Sequence, residues 1–290
     1  ARGAIASVDG EHERAMEHYQ EALGVDREGL DMHQVNQVLR SMAFALSRRG
    51  EYDRATELLN ESLAVSREME SPAEITSALR GLAKMNLHVR DYEQAEKLYE
   101  EALQLGRNHG DRNGVVWALH GLSEVARHQE NFDRAAALLE EGLRICRELD
   151  SKPGIAYLGL ASAHVARYQG NLGAARRRYE DALTLLHELG NQRRVGLCLL
   201  GLAALDVRER AFDRALILMG AVDPISESGS IQLAPVDQSE YERAVNEIRA
   251  RLDDPQIERL RRIGREMSPA QVLELALSPT RELRLDVSAP

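Results

Sequence analysis

The hexapeptide Gly50-Glu-Tyr-Asp-Arg-Ala55 returns 40 residues later as Arg90-Asp-Tyr-Glu-Gln-Ala95. It recurs at the same interval as Glu130-Asn-Phe-Asp-Arg-Ala135, Gly170-Asn-Leu-Gly-Ala-Ala175 and Arg210-Ala-Phe-Asp-Arg-Ala215, and an earlier copy reads Gly10-Glu-His-Glu-Arg-Ala15. A spacing kept this strictly marks an internal repeat, and a repeat decides the fold before local propensity does. Four residues after each Ala stands a large residue (Tyr19, Leu59, Tyr99, Leu139, Tyr179, Met219), and three further on a mostly small one (Ala22, Ser62, Ala102, Gly142, Ala182, Val222). The spacing i, i+4, i+7 lines one face of a helix. Upstream, Leu39, Leu79, Leu119 and Leu199 share a column, with Ala43, Ala83, Ser123, Ala163 and Ala203 four residues later. Small residues there let a second helix approach closely. Gly50 and Gly170 suit the turn between the two helices, while Ser71-Pro72, Asp111, Ser151 and Asn191 suit the start of the next. Each unit reads as a helical hairpin.

Composition agrees with the period. The chain has 290 residues, 43% hydrophobic and only 4% aromatic, with 21 Gly and 8 Pro, and its mean hydropathy is −0.40. Those values fit a core-forming, soluble, helix-rich chain. Lys and Arg number 37 against 47 Asp and Glu, a net charge of −10, which argues against a nucleic-acid-binding body. Two cysteines, Cys146 and Cys198, make neither a disulfide framework nor a four-ligand zinc site, so a reducing, cytoplasmic setting is expected. No apolar run reaches the roughly 18 residues a membrane span needs, and Ala1 to Gly10 lacks the basic and apolar parts of a signal peptide.

The repeat resembles the tetratricopeptide (TPR) family in a long-loop variant, over residues 1 to about 222. Leu79, Leu82, Ala83, Tyr92, Ala95, Tyr99 and Ala102 stand at its motif positions in the third unit. The resemblance implies an all-α, right-handed TPR α-solenoid of about six hairpins with a C-terminal helical cap. Gly159 and Ser162 depart from the motif, where apolar residues are usual, so that first helix is expected to pack less tightly. In this register Ala1 to Val8 is the end of a first helix, with Gly3 and Ala6 in the columns of Ala43 and Leu46. The chain is thus expected to begin inside a repeat of a longer protein.

The period stops after Gly220. A Pro, Gly and Ser-containing stretch from Asp223 to Val236 is expected to break the helix pattern. Ser239-Glu-Tyr-Glu242 reads as a capping box opening a helix to about Leu252, a second helix runs from about Pro255 to Glu266, and Ser268-Pro269 opens a third ending near Leu277. Residues 223–278 are expected to cap the array, and 279–290 to be a tail or linker. Arg214-Ala-Leu-Ile-Leu-Met-Gly-Ala221, Tyr241-Glu-Arg-Ala244, Gly264-Arg-Glu-Met-Ser268 and Ala276-Leu277 resemble the end of the TPR region in bacterial STAND-class signalling ATPases, among them LuxR-type transcriptional regulators. That resemblance implies a ligand or partner sensor that restrains an upstream NTPase or kinase domain of the same parent chain. This stretch carries no G-x-x-x-x-G-K-[ST] loop and no helix-turn-helix, so no direct nucleic-acid contact is expected of it.

Chemistry has little support: G-x-S-x-G, H-E-x-x-H and C-x-x-C are all missing, so the chain is not expected to be an enzyme, and no cofactor is expected. His120, Glu124 and His128 share one helix face, with His88 and His164 in neighbouring repeats. A metal cluster is conceivable there, but groove polarity without metal is favoured, because structural zinc sites prefer closer ligand pairs and thiolates. The outer ridge, Glu21, Glu61, Glu100-Glu101, Glu140-Glu141 and Glu180-Asp181, reads as a solvated face. In TPR geometry the first helices line a concave groove. Its positions hold Arg40, Phe44, Arg80, Lys84, Trp117, His120, Arg127, Tyr157, His164 and Arg167, with Arg48 and Arg208 beside them and Glu124 as the one acidic residue. The column of Phe44, Lys84, Glu124 and His164 lacks the Asn of chaperone-binding carboxylate clamps. These ten residues are expected to receive an acidic peptide or protein segment. The alternative is a self-contained TPR adaptor or peptide receptor with no attached ATPase.

Overall fold

Among the described residues the backbone turns into the left-handed region nine times, at intervals of 20 residues: at Gly50, Glu70, Arg90, Gly110, Glu130, Asp150, Gly170, Gly190 and Arg210. At each, the next residue's N–H reaches back to a carbonyl five residues earlier, as Glu51 does to Leu46 and Asn131 to Ala126. This closing pattern satisfies helix-end carbonyls that would otherwise be orphaned. Glycine adopts it without strain, whereas at Glu70, Arg90, Glu130, Asp150 and Arg210 a side chain is carried into it.

The computed structural model describes residues 31–227, 231, 233 and 235–279. Gly3, Ala6, Ala15, Tyr19, Glu21 and Ala22 of the earliest copy, and residues 280–290, lie outside them. Every regular element among the described residues is helical: α1 (Met32–Arg48), α2 (Tyr52–Glu68), α3 (Pro72–His88), α4 (Tyr92–His109), α5 (Arg112–His128), α6 (Phe132–Glu148), α7 (Lys152–Tyr168), α8 (Leu172–Glu188), α9 (Gln192–Arg208), α10 (Phe212–Glu227), α11 (Pro235–Arg249), α12 (Asp254–Glu266) and α13 (Pro269–Leu277). Asp111, Ser151 and Asn191 accept backbone N–H bonds as helix caps. Ser71 stands at the same position with no side-chain bond, and Pro72 alone marks that start. The chain divides into two compact units, Ala1–Ile145 and Cys146–Pro290.

In the first unit α1 packs on α2, α3 on α4, and each pair on the next helix. Ala55, Ala95 and Ala135 are fully buried, as are the Leu39, Leu79 and Leu119 column and Ala43, Ala83 and Ser123. The ring of Tyr99 lies so close to Gly121 that a Cβ there would sit 2.2 Å from it, so the large and small columns interlock. On the ridge, Arg107 meets Glu141 at 2.7 Å and Arg134 meets Glu100 at 3.5 Å. Exposed pairs of this kind contribute about 0 to 1 kcal/mol each.

The second unit repeats the scheme with α7 on α8 and α9 on α10, then departs from it. A Cβ on Gly159 would meet only Ala182 Cβ, at 3.7 Å, so α7 leaves room there for a methyl group. The helix expected to end near Asp223 runs on to Glu227 through Pro224. Proline removes one backbone bond, and side-chain contacts compensate: Val222 is buried, while Asp223 takes Arg265 at 3.1 Å and pairs with Arg261, both from α12. The expected capping box at Ser239 is also corrected. That helix starts a turn earlier, at Pro235, and Ser239 lies within it, its carbonyl accepting from Arg243 Nε at 3.3 Å. Proline with its fixed φ suits a first helical position and takes over the start. Asp253 caps α12 and Ser268 caps α13, each with a Gln three residues on.

The residues that resemble the signalling-ATPase ending make up this packing. A Cβ on Gly220 would lie 2.0 Å from the Arg261 carbonyl oxygen, and one on Gly264 2.0 Å from that of Ile217. α10 and α12 therefore cross backbone to backbone. Arg214, 2% exposed, donates to the Ala276 carbonyl in the last turn of α13 at 2.8 Å and lies 3.4 Å from the fully buried Asp206. Asp206 also accepts from Arg176 at 2.7 Å.

Candidate functional site

On the first helices, the residues at the inner-face columns divide into those already engaged with carboxylates and those that are not. In the first unit, Arg40 on α1 pairs with Glu74 on α3. Burial holds the Arg40 guanidinium below its ordinary pKa. Arg80, one repeat on, is also half-buried. Burial lowers its pKa too, Arg40 acts the same way, and Tyr99 and Asp111 only partly oppose them. Among the described residues no carboxylate lies within ion-pair distance of Arg80. One helical turn along α3 from Arg80, Lys84 holds its ammonium 5.5 Å from the ring centroid of Phe44, which is 49% exposed. An exposed aromatic beside a cation offers apolar contact and charge together.

Further along this unit, Trp117 and His120 meet edge to face at 6.0 Å. Arg127 is 4% exposed and donates to Glu124 at 2.8 Å. Burial alone would raise the Glu124 pKa, but the charge and hydrogen bond of Arg127, with His120 and His128, hold it well below the carboxylate range. Arg127 is thus already paired with a carboxylate one turn away on its own helix. His88 stacks on Tyr52 at 4.8 Å and His128 on Tyr92 at 5.6 Å. Among the described residues no group of three His, Cys, Asp or Glu side chains is placed to hold a metal ion, and no helix is long and apolar enough to cross a membrane.

In the second unit, Tyr157 accepts from Asn191 at 3.1 Å and lies under the Arg194 guanidinium at 3.9 Å. Arg167 is sealed at 3% exposure and bonds Tyr179 Oη at 3.1 Å, Asp237 at 3.0 Å and Glu240. Burial pulls its pKa down, but Tyr179, Glu240, Tyr168 and Asp237 together push it above its ordinary value. Tyr168 donates to Asp237, Arg208 to Glu240 at 3.0 Å, and His164 lies 3.0 Å from Tyr179 Oη and 3.6 Å from Asp237. Both carboxylates belong to α11.

The residues sequence reasoning missed are therefore acidic and off the repeat columns: Glu74, Asp237 and Glu240. For the last two a signal existed. They lie three residues apart and just ahead of Tyr241 and Ala244, on the face that α11 buries.

A family model described as "MalT-like TPR region" matches residues 1–192. No curated protein gives a significant match. Among solved structures, the Rap conjugation gene regulator of plasmid pLS20 in complex with the Phr* peptide is 14% identical with a TM-score of 0.64, over 89% of this chain and 73% of that one. A Rap protein complexed with competence and sporulation factor is 14% identical with a TM-score of 0.63, over 89% and 74%. A STAND protein (signal transduction ATPase with numerous domains) with a tetratricopeptide repeat sensor, from Pyrococcus horikoshii, is 15% identical with a TM-score of 0.58, over 90% of this chain but only 43% of that one. At these identities the likeness is one of fold, a TPR-type helical repeat.

Proposed function

Because the chain belongs to the MalT-like TPR region family, we propose that it is the ligand-sensing, protein-interaction arm of a cytoplasmic bacterial signalling ATPase, a LuxR-type transcriptional regulator, and that it receives an acidic peptide or protein segment. In this reading residues 1–222 are the repeat array, 223–278 close its end and 279–290 lead out of it. The chain itself performs no catalysis and touches neither nucleic acid nor membrane. An upstream NTPase or kinase domain of the parent protein would respond to the ligand by a shift between repeat conformations. The solved relatives support the reading: two are Rap proteins with bound partners and one is a STAND ATPase with a TPR sensor.

The observation that carries the acidic preference is Arg80. A half-buried guanidinium with no described carboxylate partner, near Arg40 and one helical turn from Lys84 with its exposed Phe44, gains from an incoming carboxylate what Arg40 already gains from Glu74. Arg pairs with carboxylates through two hydrogen bonds. The test is binding of a fluorescein-labelled library of acidic and basic peptides at several salt concentrations. Acidic peptides should bind, more weakly as salt rises. Arg80→Glu with Lys84→Glu should cost about 2 to 5 kcal/mol of affinity, and Glu61→Lys on the ridge should cost nothing measurable. A preference for basic peptides, or equal loss from both changes, would refute the assignment.

A further inference from the structure

The second unit already contains a bound acidic helix. α11 lies on the face of α7 and α9, and its Asp237 and Glu240 converge on one buried guanidinium, Arg167, with Arg208 and Tyr168 completing the set. Two full positive charges meet two carboxylates, and His164 stands beside Asp237. We propose that this face is a carboxylate-binding site for an acidic helix. α11 is its resident internal occupant, and a partner helix bearing two carboxylates three residues apart replaces it. The inference goes beyond the first-unit site around Arg80 and does not depend on it.

Three features separate α11 from a purely structural brace. Its hold is polar at the centre, and an ion pair exchanged for an identical ion pair changes little in desolvation, so replacement by an equivalent helix is nearly neutral at the site itself. Its packing is incomplete: a cavity of about 20 Å³, room for one water, remains among His164, Arg167, Leu200, Ala204, Tyr241 and Ala244. The neighbouring helices are fastened without its carboxylates, α12 through Gly220, Gly264 and the pairs of Asp223 with Arg261 and Arg265, and α13 through Arg214 and Ala276. In the proposal α11 lifts while they stay, giving up the Tyr241–Arg261 hydrogen bond and the burial of Ile248, which the replacing helix must restore. As a tethered occupant it competes at an effective concentration of about millimolar, so only a partner with further contacts displaces it. The site is thereby selective against weak acidic ligands.

The probe is a fluorescein-labelled peptide of residues 235–252, titrated into the full chain carrying Arg80→Glu and Lys84→Glu, so that the first-unit site does not contribute. In that background, adding Asp237→Asn and Glu240→Gln should tighten peptide binding about tenfold or more. A peptide with the same two neutral residues should not bind. Unchanged affinity, or equal binding of the neutral peptide, overturns the proposal. Independently of how the variant folds, hydrogen exchange on the unmodified chain should show α11 amides exchanging about tenfold faster than those of α12 and α13. Equal protection across the three helices shows a single cooperative unit and overturns it as well.

Discussion

On α3 of the first unit, Arg80 is half-buried without a described carboxylate in reach, whereas on α7 of the second unit Arg167 is sealed beneath two of them. Both stand on first helices of the same 40-residue hairpin. The repeat thus supplies the scaffold and the cations, and the carboxylates within reach decide whether a cation is open or filled: Glu74 and Glu124 within the repeats, Asp237 and Glu240 beyond them. In the second unit the filling comes from α11, some 70 residues downstream of Arg167.

If α11 is an occupant and α12 with α13 are fixtures, damage to the fixtures should cost far more than damage to the occupant. The largest loss is expected from Asp206→Ala. It strands Arg176 and the buried Arg214 beneath helices that do not lift, and should cost about 3 to 5 kcal/mol in urea melts of the full chain. A loss under about 1 kcal/mol would erase the distinction. Next comes Ala95→Leu in the first unit, where the tight helix crossing is overpacked at about 1 to 3 kcal/mol. A negligible change would mean that the Ala column does not set the crossing. Asp237→Asn with Glu240→Gln should cost only about 1 kcal/mol, because α11 then gives up its place and Arg167 regains water. A cost matching that of Asp206→Ala would make α11 a fixture too. The smallest effect has the opposite sign. Gly159→Ala fills the room beside Ala182 and removes backbone freedom from a helix interior, so it should stabilise the second unit by about 0.5 to 1 kcal/mol; thermal melts read it directly.

The hairpins were legible because each depends on residues near in sequence and repeated at one period. Ala55, Ala95, Ala135, Ala175 and Ala215 are all fully buried, as their column requires. Two tail features were misread where tertiary contact overrides a local signal. Pro224 looks like a breaker until Asp223 is seen held by Arg261 and Arg265, and Ser239 looks like a cap until Pro235 is seen to start α11. The inner-face cations were legible as positions but not as charges. Their counter-ions, Glu74, Asp237 and Glu240, sit outside the columns, and pairing between distant helices leaves no period to read. The packing of α10 on α12 through Gly220 and Gly264 was visible only as a resemblance, since a backbone crossing shows in sequence as nothing more than two small residues.

The most direct measurement of the central claim, that one inner face stands open to carboxylates while the other is filled from within, is a count of sites by isothermal titration. The residue 235–252 peptide is titrated into the unmodified chain and into the chain with Asp237→Asn and Glu240→Gln. The account predicts that the variant takes up an additional equivalent of peptide and that added salt weakens both events. The same stoichiometry for both proteins would contradict it.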